Sequence, residues 1–135
     1  MSERENTETV RRLFQAFGRG DVATLMSLLA EDVVWFLPGA PEVVPYAGER
    51  RGHAGASQFF QLLGGAVEFE AFEPREFVAQ HDKVVALGFE RGRVRATGKT
   101  FDNPWALVFT VRGGLITEFR GYEDTGAIAA AFRAG

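Results

Sequence analysis
The chain contains no cysteine in 135 residues. That absence removes disulfides, thiol nucleophiles and cysteine-ligated metals, and it suits a reducing, cytoplasmic setting. Histidine is nearly absent too: His53 and His81 lie far apart without ligand spacing, so no metal site is expected. No apolar run approaches the roughly 18 residues of a membrane span, and the polar start MSERENTETV has no signal-peptide core. Positive charge is not in excess. A net charge of −3 with no Lys/Arg run argues against nucleic acid as a partner. Phosphate-binding glycine motifs and a nucleophile elbow are missing, and Ser2, Ser27 and Ser57 have no plausible histidine–acid constellation.

What the chain has in plenty is phenylalanine, with 13 copies. Either the core is unusually aromatic or some rings line a cavity. The length corresponds to one domain, residues 1–135, large enough for a real core. Val10, Leu13, Phe14 and Phe17 recur at helical spacing and predict a first helix ending near Gly18–Gly20. Asp21 is placed to cap a second helix with the stripe Val22, Leu25, Met26 and Leu29. A short strand follows at Val33 to Leu37. The Pro/Gly-rich stretch 38–52 reads as an irregular loop, long enough to suggest function. Ala56, Phe59, Phe60 and Leu63 mark a third helix closed by Gly64-Gly65. From Val67 the pattern changes to strands: 67–80 with a break expected at Pro74, then 84–95, then a long hairpin. Asp124 or Thr125 can cap a last short helix. Helices followed by an antiparallel meander define an α+β chain, with the helices on one side of a strongly curved sheet.

The hairpin from Asn103 to Asp124 organises the rest. Trp105, Leu107, Phe109 and Val111 share one bulky apolar face. A three-residue loop Arg112-Gly113-Gly114 closed by Val111 and Leu115 would set Leu107 opposite Phe119, Trp105 opposite Gly121 and Asn103 opposite Glu123. Gly121 would then leave room for the Trp105 indole. A register shifted by one would turn Arg120 and Tyr122 inward instead.

The segments FGRGD, LLAEDVVWFLPG, PYAGERRGHAG and FTVRGGLITEFRGYEDT together resemble the nuclear-transport-factor-2-like superfamily, and more closely its SnoaL-like, ketosteroid-isomerase-related branch. The resemblance spans essentially the whole chain. It implies a cone-shaped, mostly antiparallel sheet that encloses a pocket with three N-terminal helices, a short C-terminal helix, and a homodimer. It does not bring a chemistry with it, because this fold hosts isomerases, epoxide hydrolases, cyclases and binding proteins. The isomerase base position falls on Leu37 and the tyrosine position on Leu13, while the aspartate falls on Leu107 or Ala106; none of these can move a proton. The epoxide-hydrolase arginine matches Arg91, but its two aspartates fall on Arg93 and Gly121.

The polar residues left over are the site candidates. Glu123 is the carboxylate expected to do acid–base work if half-buried, its bland alternative being a surface glutamate beside a helix cap. Arg91 and Arg93, with Phe89, are turned inward by the family alignment; the alternative is a solvated position at the open end of the sheet. Asn103 precedes a proline that forces extended geometry and could point inward as a neutral donor. Trp35, Leu37, Tyr46, Phe60, Trp105, Leu107 and Phe119 complete the expected ligand contacts. His53 is either at the pocket mouth or a solvated helix-start residue, and His81 is a surface turn. The expected ligand is a small apolar molecule, without a cofactor. The activity is either cofactor-independent isomerase, cyclase or hydrolase chemistry or binding without turnover.

Overall fold
The computed structural model describes residues 2–134. Helix α1 (Glu3–Arg19) opens on a capping box in which Ser2 and Glu5 satisfy each other's backbone N–H groups. It ends at Gly20, whose φ of 66° closes the helix in the left-handed region. The short helix α2 (Val22–Ser27) is capped by Asp21 as the sequence predicts, but Leu29 already belongs to strand β1 (Leu29–Leu37). The loop predicted over 38–52 is partly a strand: β2 (Gly48–Arg51) pairs antiparallel with β1. Helix α3 (Gly52–Ala66) runs through Gly64-Gly65 rather than stopping there.

Four long strands follow, β3 (Val67–Gln80), β4 (Lys83–Val94), β5 (Thr100–Arg112) and β6 (Leu115–Tyr122), before helix α4 (Thr125–Phe132). They form one six-stranded sheet in the order β2-β1-β6-β5-β4-β3. The meander is antiparallel, and β1 joins it parallel to β6. The curved sheet remains unclosed, with β3 at one edge. Pro74 does not break β3. It lies on that edge strand beside a register shift between Pro74 and Glu76, where a missing N–H costs the ladder little.

The hairpin keeps the expected face but not the expected partners. Gly113 and Gly114, with φ of 58° and 81°, form a two-residue turn, so Arg112 pairs with Leu115 and Val111 with Ile116. An extra residue, Thr117, then shifts the register, giving Phe109 opposite Phe119 and Leu107 opposite Gly121. The tighter turn moves pairing by one residue and the bulge by one more. Side-chain parity is therefore restored, and Arg120 and Tyr122 stay on the outer face. Gly121 makes room for Leu37 rather than Trp105, since a Cβ there would sit 2.5 Å from Leu37 Cδ1.

Strand β4 faces the opposite way from the sequence expectation. Val84, Ala86, Glu90, Gly92 and Val94 are buried, while Arg91 and Arg93 are exposed. Val84, Ala86 and Val94 are therefore core. The cause is size complementarity with β5. Gly88 pairs with Trp105 and Gly92 with Phe101, and added Cβ atoms would overlap those rings. Trp105 lies over Gly88 and stacks on Phe14 of α1 at 5.9 Å between ring centroids. Glycine at both positions lets the aromatic side chains of β5 lie flat on β4, which curves the sheet around α1.

Gly88→Ala would set a methyl group against the Trp105 ring and 2.6 Å or less from its Cζ2, and 2.5 Å from the Glu73 carbonyl oxygen. We expect a loss of about 3 kcal/mol or more in urea denaturation. Gly121→Ala meets only the movable end of Leu37 and should cost about 1–2 kcal/mol.

Candidate functional site
The concave side of the sheet encloses a small cavity of about 60 Å³ between α1, α3 and the sheet. Its walls are aromatic and aliphatic except at one end. There Glu90 from β4 and Glu123, just beyond β6, are the two acids among the lining residues. Trp35 stacks on Phe119 at 4.1 Å between centroids and packs against Phe59 and Phe60 at 5.6 and 5.4 Å. Tyr46 arrives from the loop between β1 and β2 and is 2% exposed. That loop turns at Gly39 and Gly48, with φ of 126° and 106°, and buries Val44, Tyr46 and Ala47. A second cleft of about 230 Å³ lies outside, between this loop and α4, and shares Tyr46 and Glu123 with the inner cavity.

Asn103 ties the acids to the fold. It is fully buried, and its Oδ1 accepts a hydrogen bond from the Asp124 backbone N–H at 2.9 Å. That bond fixes the amide so that Nδ2 is its only donor end. Nδ2 stands near enough to both carboxyls to favour their charged forms, yet it completes no hydrogen bond of good geometry. The indole N–H groups of Trp35 and Trp105 are likewise buried without a partner.

Electrostatics set these acids apart. Burial pushes the Glu90 carboxyl up to about 8, the charge of Glu123 adds to the shift, and Asn103 partly opposes it. Burial raises Glu123 to about 7, again against the pull of Asn103. The Tyr46 phenol is pushed up by burial and then by Glu123 and Glu90, so it stays neutral. Two interacting acids with overlapping titrations behave as a pair. Near neutral pH the pair can both hold and release a proton, as acid–base work requires.

Most predicted contacts meet here. Trp35, Leu37, Tyr46, Phe60, Leu107, Phe119 and Glu123 line the cavity, and Asn103 stands against its acids. Trp105 does not reach the lining; it is held behind Phe14 and Phe72. Three expectations are corrected by the facing of β4. Arg91 points outward into a two-bond pair with Asp102 at 2.7 and 3.0 Å. Arg93 pairs outside with Glu70 and donates to the Gly98 carbonyl. Phe89 lies on the same outer face beneath the Arg75 guanidinium. With Arg91 paired to Asp102 outside, no arginine is among the residues that line the cavity with Glu123. His53 is half-buried at the start of α3, where its Nε2 meets the Leu29 carbonyl at 2.9 Å. His81 sits in the β3–β4 turn and is exposed.

Sequence reasoning missed Glu90. The available signal was its place between Gly88 and Gly92, opposite the bulky Trp105 and Phe101 two strand positions to either side. Small residues facing large ones mark the inner face, and that puts Glu90 inside.

Comparison with known proteins agrees with this architecture. Residues 10–119 match the SnoaL-like domain, and the chain belongs to that family. An uncharacterized protein of Mycobacterium tuberculosis (strain ATCC 25618 / H37Rv) is 32% identical over 117 residues, 87% of each chain. An NTF2-like protein of Burkholderia xenovorans LB400 has a solved structure 42% identical to this chain. It covers 98% of this chain and 99% of its own, with a TM-score of 0.91. TerC, co-crystallized with polyporic acid, is 26% identical over 95% of this chain and 98% of its own, with a TM-score of 0.82.

The raised acids make stability fall with alkalinity. The folded chain keeps protons on Glu90 and Glu123 that the unfolded chain releases above the ordinary 4.5. Their stabilising contribution is therefore complete below about pH 4.5 and is lost as pH rises through about 7 and 8. Unfolding free energy should drop by up to about 1.4 kcal/mol per pH unit per proton in that window. Glu90→Gln should flatten the fall and raise stability at pH 8.5, which urea titrations at pH 5 to 8.5 would measure.

Proposed function
We propose that this protein binds a small apolar molecule in the aromatic cavity and exchanges a proton with it through Glu123. One observation carries the reading: an otherwise apolar cavity presents its ionisable groups at a single end, with carboxyls held near neutral pH. Glu90 is the second acid of the pair, and Asn103 stands near both carboxyls. Arg91 has no part in the site, because it lies on the other face of the sheet. The chemistry this permits is cofactor-independent isomerisation, cyclisation or hydrolysis. Binding without turnover is the second reading, favoured by leucine at positions 13 and 37, where related isomerases carry their tyrosine and base.

The free volume is below the roughly 150 Å³ of a dry engineered cavity that accepts benzene. A ring therefore enters by displacing phenylalanine side chains or opening the loop that carries Tyr46. No helix among the described residues is long and apolar enough to cross a membrane, and a cytoplasmic setting suits the cysteine-free composition. A homodimer is part of the same reading. Val78 and Tyr122 are 58% and 54% exposed on the outer face, in rows continued by Val85 and Val108 and by Leu87 and Ala106, a surface that a second copy would cover.

Native mass spectrometry of protein purified from its own host should show a small apolar adduct. Glu123→Gln should keep the adduct and lower any turnover of it at least about 100-fold, while Arg91→Ala should change neither. Unchanged turnover in Glu123→Gln would remove Glu123 as the proton-transfer group, whereas an adduct that the protein does not turn over would leave binding. Sedimentation at micromolar concentration should give a dimer, and a monomer there would remove that part of the proposal.

A further inference from the structure
The cavity has an unbalanced charge inventory. Glu90 and Glu123 enter it, and no arginine, lysine or histidine is among the residues that line it. Among the described residues no cationic side chain forms part of its walls, and Arg50 of β2 donates to the Pro45 carbonyl. Helices α1 and α3 contribute only Leu13, Phe14, Phe17, Phe59, Phe60 and Leu63 to the walls. The loop contributes the neutral Tyr46, and β5 contributes Leu107 and Phe109, with Asn103 behind the acids. Asp124 is occupied in capping α4, Arg91 is paired outside with Asp102, and Arg133 lies across the outer cleft. Buried acids normally have a cation or a full set of donors. Here the fold supplies one amide donor, Asn103 Nδ2, which is fully buried, faces the pair and completes no hydrogen bond.

The rest of the lining is apolar, aromatic rings together with four leucines. Trp35, Tyr46, Phe59, Phe60 and Phe119 line the same cavity as the acids, in mutual contact, and Tyr46 is near enough to feel both carboxyls. Ring faces attract a positive charge, and rings combined with carboxylates form the usual recognition surface for ammonium groups. From this combination we infer that the ligand is an apolar molecule bearing a protonated amine, received between Glu90 and Glu123. The inference rests on the pocket reading above and adds the chemical class of its ligand. The exchange balances: a neutral carboxyl releases its proton to solvent, the carboxylate pairs with the incoming ammonium, and Asn103 Nδ2 gains a charged acceptor. Acids already poised to ionise near neutral pH make that exchange inexpensive. An anionic ligand is repelled by the ionised acids, and a neutral isostere can hydrogen-bond to a carboxylate but gains no charge pairing.

Three probes of one size test this: benzylamine, benzyl alcohol and benzoate. The chain has two tryptophans, so two indole N–H signals in a ¹H–¹⁵N spectrum report the cavity, with Trp35→Phe assigning the lining one. At pH 8 benzylamine should shift the Trp35 signal and bind at least 10-fold more tightly than benzyl alcohol, and benzoate should not bind. Benzylamine affinity should rise from pH 6 to 8.5, where the probe stays protonated. Calorimetry in buffers of different ionisation enthalpy should show protons released on binding. The Glu90→Gln/Glu123→Gln variant, its fold certified by an amide spectrum unchanged away from the cavity, should lose the preference for the amine over benzyl alcohol, and a preference that persisted would overturn the inference. Equal or tighter binding of benzyl alcohol or benzoate, or benzylamine shifts that spare Trp35, would overturn the inference and leave the pocket reading intact. If none of the three probes reached Trp35, the pocket reading would fall with it.

Discussion
Everything at the site depends on how Trp105 packs on Gly88. An indole laid flat across a neighbouring strand needs a position without a side chain, and β4 supplies one there and a second at Gly92 for Phe101. With those rings lying down, β4 and β5 can bend around α1 rather than stand off from it. The same packing decides which side of β4 faces inward. Glu90 lies between the two glycines in the strand, so it is carried into the interior by the geometry that buries the rings. A carboxyl that would be solvated on the outer face becomes one member of a buried pair.

The second member is placed by a different device. Glu123 lies just beyond β6, where the chain turns into α4, and the Asp124 N–H is held by Asn103 from β5. Asp124 in turn caps α4 through Ala127. Thr97 and Lys99, from the β4–β5 turn, donate to the Ala131 and Arg133 carbonyls at the other end of α4. Cations and donors at a helix C-terminus complement its dipole. Helix α4 is thus fixed at both ends, and Glu123 is held at the boundary between the cavity and the outer cleft. Depth separates the two acids: Glu90 is almost wholly covered, whereas Glu123 touches both spaces.

Much of the fold could be read from local pattern. The 3.6-residue recurrence in α1, the Asp21 cap and a glycine turn after Arg112, though not its length, each rest on chemistry within a few residues. The alternation in β5 correctly put Trp105, Leu107 and Phe109 on one face. Glu123 could be chosen because it follows that hairpin with the right parity. Its partner could not be read the same way, because β4 alternates between two plausible faces. One carries Phe89, Arg91 and Arg93, and the other small residues with Glu90. Judged by size and hydrophobicity alone, Phe89 looks like the inward residue.

The sequence by itself determined the order of the helices, the strand count of the meander, the aromatic character of the interior and the absence of cysteine. These follow from composition and short-range periodicity, which need no knowledge of neighbours. Tertiary structure decided the facing of β4, the hairpin register beyond Thr117, the pairing of Arg91 with Asp102 outside the cavity, and the meeting of Glu90 with Glu123. Each of those depends on which large side chain finds a small one across a strand boundary. That is a property of two distant segments together, and neither segment specifies it alone.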